Sequence, residues 1–95
     1  MPGYRIDSQL AELGENVRGW RMVLGLTAQQ VAERAGITRA TVHKIEAGDP
    51  GVRFGSVAQV LRALGVLDQT IAATDPLASD IGRLRAGRLT KKRAR

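Results

Sequence analysis

Three glycines, Gly25, Gly36 and Gly48, bracket two short segments that each open on a threonine and carry one apolar stripe. Thr27 and Gln30 have the spacing of a capping box, in which the hydroxyl and the amide each satisfy an orphan backbone N–H at a helix start. The spacing predicts a short helix over 28–35 that buries Val31 and Ala32. Gly36 follows, where a glycine adopts positive φ at no steric cost. Thr38 can cap the next helix, running to Ala47, with Val42 and Ile45 facing inward and Gly48 ending it. Short helices with one apolar stripe must bury it against one another, so this region predicts a helical bundle.

The flanks extend that reading. With Ser8 as N-cap, Leu10, Leu13, Val17, Trp20 and Leu24 recur at three- and four-residue steps and predict an amphipathic helix stopped by Gly25. Asp49-Pro50-Gly51 is turn chemistry. Ser56 and Gln59 repeat the capping-box spacing and open a helix with Val57, Val60, Leu61 and Leu64 on one face. A last short helix is predicted from Val66 to Ala73, before Asp75-Pro76 interrupts it. Neither strand-like alternation nor an internal repeat is visible. The expected architecture is an all-α domain of four to five helices over 8–74, with an N-terminal arm at 1–7 and a basic, flexible tail at 75–95.

Several function classes are set aside by composition. Ninety-five residues hold one core. No apolar run is long enough to span a membrane. The N-terminus, MPGYRIDSQL, lacks the layout of a signal peptide, so a cytoplasmic, nucleoid-associated protein is expected. With no cysteine and a single histidine, His43, neither a metal site, a cofactor nor a catalytic triad is expected, and the chain reads as no enzyme. The net charge of +6 points to polyanions, but it is unevenly spread. From Met1 to Gly82 eight basic residues face nine acidic ones, whereas Arg83 to Arg95 hold seven basic residues and no acid.

A helix-turn-helix needs a small residue in its first helix so that the second can cross close by, and Ala32 supplies it. It needs a turn that tolerates glycine (Gly36), a buried apolar residue after it (Ile37), and a second helix with one exposed face. Here that face is Arg39, Ala40, His43 and Lys44, with no acid among them. A helix of this size fits the major groove, where base edges carry a donor and acceptor code.

Leu13 to Gly48 resembles the Xre/Cro-type, lambda-repressor-like helix-turn-helix family. The resemblance is carried by Leu13-Gly14, Val17-Arg18, Arg21, Gly25-Leu26-Thr27, Val31-Ala32, Ala35-Gly36-Ile37-Thr38, Val42, Ile45-Glu46 and Gly48. Val52 to Val66 is similar to the helix that usually follows. The resemblance implies base reading by Arg39, Ala40 and Lys44, with Thr41 and His43 beside them. It implies phosphate contacts at Thr27, Thr38 and Arg53, and a structural ion pair between Arg21 and Glu46. Where the family usually places Gln after the capping residue this chain has Ala28, with Gln29 one position on as a substitute. It further implies a homodimer on double-stranded DNA with a near-palindromic operator. The interface is expected at Leu61, Leu64, Val66 and Leu67, where apolar residues exceed what one small core needs.

Val66 to Arg88 is similar to HipB-type antitoxins, which implies autorepression of an operon and neutralisation of a HipA-like serine/threonine kinase toxin by complex formation. The alternatives are a stand-alone phage-like repressor and an interaction module that has lost DNA binding. Arg83, Arg85, Arg88, Lys91, Lys92, Arg93 and Arg95 have three readings. They form a solvated end, an arm of phosphate contacts each steepening the salt dependence by about 0.9 in log–log slope, or a partner-binding segment punctuated by Ile81, Leu84 and Leu89.

Overall fold

The computed structural model describes residues 2–89. Among these the chain forms helices and no strand: α1 Pro2–Val23, α2 Ala28–Ala35, α3 Arg39–Glu46, α4 Phe54–Ala63, α5 Leu67–Ala73, a 3-10 turn Pro76–Ala78 and α6 Asp80–Leu84. The all-α class holds, and the elements beyond the expected five lie in the segment read as a tail.

Local chemistry sets the ends of the central pair. Thr27 Oγ1 accepts from the Gln30 N–H at 3.0 Å, and Gln30 Oε1 accepts from the Thr27 N–H at 2.8 Å. Gly36, at φ 70°, turns the chain so that the Ile37 N–H reaches the Ala32 carbonyl at 3.0 Å. Thr38 then caps α3 through the Thr41 N–H at 3.1 Å. Val31, Val42 and Val60, one from each of α2, α3 and α4, are the largest fully buried side chains. Ala32, 1 % exposed, keeps α2 thin at the centre of the core. Gly14 does the same for α1: a Cβ there would sit 2.7 Å from the Ile45 carbonyl oxygen and closer still to that of Glu46. α1 and α3 therefore pack backbone to backbone.

Four expectations are corrected. α1 begins at Pro2, so residues 2–7 are helix and not an arm, and Ser8 lies inside the helix. Proline is favoured at a first helical position, and nothing from Tyr4 to Asp7 breaks a helix. α4 begins at Phe54 with Arg53 at the cap. The Ser56 N–H already donates to the Arg53 carbonyl at 3.0 Å, so Ser56 stands inside the first turn; Gln59 instead accepts from Arg62 Nε at 3.0 Å. Leu64 and Val66 are buried in the domain's own core, so they are not the spare dimer surface expected, whereas Leu61 and Leu67 stay partly exposed. Finally, the stripe of α1 is only partly covered. Val17 is buried, but Leu13, Trp20 and Leu24 are 45, 44 and 46 % exposed.

The segment from Asp75 carries local structure where a loose tail was expected. Asp75 Oδ1 accepts from the Leu77 N–H at 2.9 Å, with Pro76 at the first position of the 3-10 turn. Ser79 Oγ accepts from the Gly82 N–H at 3.0 Å and caps α6. Leu77, Ile81, Leu84 and Leu89 are exposed. Lys91, Lys92, Arg93 and Arg95 lie outside the described residues.

Candidate nucleic-acid interface

α3 presents a face made of Arg39, Ala40, His43 and Lys44, all exposed, while Val42 and Ile45 hold its other side in the core. Arg39 occupies the first position of α3, the end where the helix dipole disfavours a cation. His43 and Lys44 lie in the last turn, where the same dipole favours a cation. The first turns of α2 and α3 contain no acid, so the partial positive charge of both N-termini remains available to an anion.

Two threonines stand at those N-termini. Each hydroxyl accepts a capping bond, and a hydroxyl that accepts one hydrogen bond still has a proton to give. The Thr27 hydroxyl, exposed at the start of α2, therefore keeps a proton to donate. Thr38 and Thr41 share a hydroxyl–hydroxyl hydrogen bond of 2.8 Å, which couples Thr41 to the cap and fixes one donor between them. Gln29 is exposed in the first turn of α2, with its amide nitrogen 3.3 Å from Glu33 Oε1. Ala28, by contrast, is buried in the core. The family's usual glutamine position has here become a packing position, and any phosphate clamp from α2 falls to Thr27 and Gln29.

Arg53 is exposed at the start of α4 and makes no capping hydrogen bond. The ion pairs among the described residues are Arg21–Glu46 and Arg83–Asp80, so Arg39, Lys44 and Arg53 carry charge with no acid paired to it.

The structure brings Arg21 and Glu46 together across α1 and α3. Arg21 Nε donates to Glu46 Oε2 at 2.7 Å and Nη2 to Oε1 at 3.1 Å, while Nη1 donates to the Leu26 carbonyl at 3.2 Å. The side chains are 14 and 7 % exposed, so this is a bidentate pair largely removed from solvent. The hydrogen bond to Glu46 raises the Arg21 pKa above its ordinary value and outweighs the lowering by burial. A raised folded-state pKa stabilises the fold while the group is charged, so this contribution persists through neutral pH and is lost only at strongly alkaline pH. The pair ties the last residue of α3 to α1, next to the close contact at Gly14.

Three features were not read from the sequence: the half-open stripe of α1, the cap at Arg53, and the local structure after Asp75. Only the last had a local signal, an Asp-Pro pair at one helical start followed by Ser79 at the next. Among the described residues, no helix is long and apolar enough to cross a membrane.

A family model described as a helix-turn-helix domain matches residues 12–73. Comparison with curated proteins and with solved structures gives no match. The matched region runs from α1 through α5, covers more than half of the chain, and contains the capped pair α2 and α3 with its exposed basic face. The protein belongs to the helix-turn-helix family of DNA-binding domains, consistent with the Xre/Cro-type, lambda-repressor-like pattern of its residues.

Proposed function

We propose that this chain is a sequence-specific transcriptional repressor that binds double-stranded DNA as a homodimer on a near-palindromic operator. The observation that carries the reading is the face of α3, on which Arg39 and Lys44 project without acidic partners from a capped and braced helix. Arg39 bidentate to a guanine is worth roughly 1–3 kcal/mol of base discrimination. Ala40 can only accept a thymine methyl. One such face specifies few base pairs, so two copies on half-sites about 34–36 Å apart are needed for a selective site. Thr27, Thr38, Gln29 and Arg53 would hold register through phosphate, and Thr41 and His43 would lie beside the bases.

The test starts from a random duplex pool. Selection with the full chain should yield a two-fold symmetric site, and Arg39→Ala with Lys44→Ala should abolish its enrichment while the protein stays folded. Recovery of the same site by the double variant, or affinity independent of salt, rejects the reading.

A second role as an antitoxin is favoured by the likeness of Val66 to Arg88 to HipB-type antitoxins. Under it, the same chain would neutralise a HipA-like kinase. Co-expression with a neighbouring kinase-like gene should give a co-purifying complex and relieve toxicity; unrelieved toxicity rejects this role and leaves the repressor.

A further inference from the structure

We infer that the segment around α6 of one chain docks in the apolar groove between α1 and α4 of a second copy, each chain giving its segment to the other. This deepens the dimeric reading above and rests on it.

The groove has Leu10, Leu13, Val17 and Trp20 on one wall and Val57 and Leu61 on the other. Two clefts of about 280 and 290 Å³ meet in it, sharing Leu13 and Val17. At 1.5 Å per residue, Leu10 to Trp20 runs about 15 Å along α1. α1 packs chiefly on α3, and along this wall Val17 is buried while Leu13 and Trp20 remain nearly half exposed. The charged side chains that line the groove and the recess beside Trp20 are both acidic: Asp49 at one end and Glu15 at the other.

The complementary surface is on the same chain. Ile81 and Leu84, three apart in α6, share a helix face, and Leu84 is 85 % exposed. Arg85 and Arg88 follow them, and no acid occurs from Arg83 onward. Apolar anchors with trailing arginines therefore match an apolar groove with carboxylates at its ends. Laying the apolar face of a short helix into such a groove is a common mode of recognition.

Ala73 lines one end of the groove, and the capped turn at Asp75-Pro76 begins two residues later. Within its own chain α6 packs chiefly on the 3-10 turn and leaves Leu84 exposed, so its apolar face does not cover its own groove. Reciprocal exchange between two copies closes on a two-fold axis, as a palindromic site requires.

The absence of native cysteine makes single cysteines clean probes. Full-length chains carrying only Leu13→Cys are mixed with chains of different mass carrying only Leu84→Cys and oxidised mildly. The expected product is a disulfide between unlike chains, in excess over like pairs. Sedimentation of Leu84→Asp, a change at an exposed position, should show dimer dissociation at least tenfold weaker. Like-with-like pairs through Leu13→Cys, or a Leu84→Asp dimer of unchanged strength, leave the dimer standing and overturn the exchange. A monomeric wild-type chain overturns both, as does a monomer in which the two cysteines placed together crosslink internally.

Discussion

The face of α3 and the segment from Arg83 onward are both basic, and they are built in opposite ways. α3 has eight residues, but Thr38 caps it, Val42 and Ile45 anchor it in the core, and Glu46 ties its last residue to Arg21 on α1. Arg39 and Lys44 project from a backbone with little freedom, which base-edge hydrogen bonds need. The C-terminal segment is held by its own caps at Asp75 and Ser79, and Arg83 is drawn to Asp80. Its charge acts on any polyanion or acidic surface within a Debye length. On the proposed reading, net charge locates where anions gather, whereas placement on a braced helix decides which sequence is read.

That contrast can be broken by removing the brace. Glu46→Ala leaves the Arg21 guanidinium largely buried with only the Leu26 carbonyl as partner, and should cost about 2–3 kcal/mol in urea unfolding. Asp80→Ala, which removes the exposed Arg83–Asp80 pair of the C-terminal segment, should shift the same transition by less than about 1 kcal/mol. Equal effects would mean that α3 is no better anchored than α6.

Arg39→Ala sharpens the comparison at the level of bases. In competition binding against single-base variants of the selected half-site, discrimination should fall by about 1–3 kcal/mol at one position and stay intact elsewhere. A smaller effect, about 1 kcal/mol, is expected for Thr38→Ala, which removes the cap from α3. For a domain of this size that is a fall of roughly 4–8 °C in Tm. Ser79→Ala, the matching change before α6, should leave the main transition in place. Smallest of all, Arg53→Ala should lower the salt slope by about 0.9 without altering base preference.

How much of this could be read from the chain depends on the range of the interactions. α2, with Thr27, Gln30 and Gly36, is written in local chemistry, and its predicted bounds of 28–35 are those observed. α3 follows the same logic from Thr38 to within a residue of its end. Ser56 was misleading because a capping pair is only a local signal, and the helix starts earlier, with Arg53 at its cap. Leu64 and Val66 looked like surplus apolar surface because periodicity shows that a stripe is buried, not what buries it. The same limit hid the half-open stripe of α1, where Gly14 draws the helix onto α3 and away from α4. Arg21 and Glu46 lie 25 residues apart, and only the family resemblance brought them together before the structure did.

The most direct test of the division of labour compares half-site preference between two variants. One is Arg39→Ala; the other replaces Arg83, Arg85 and Arg88 with Gln in the full chain. Each is selected against a random duplex pool at several salt concentrations. The account predicts that Arg39→Ala loses one preferred base while the Gln variant binds every duplex more weakly and keeps the wild-type half-site. A changed half-site in the Gln variant, or an unchanged one in Arg39→Ala, would contradict it.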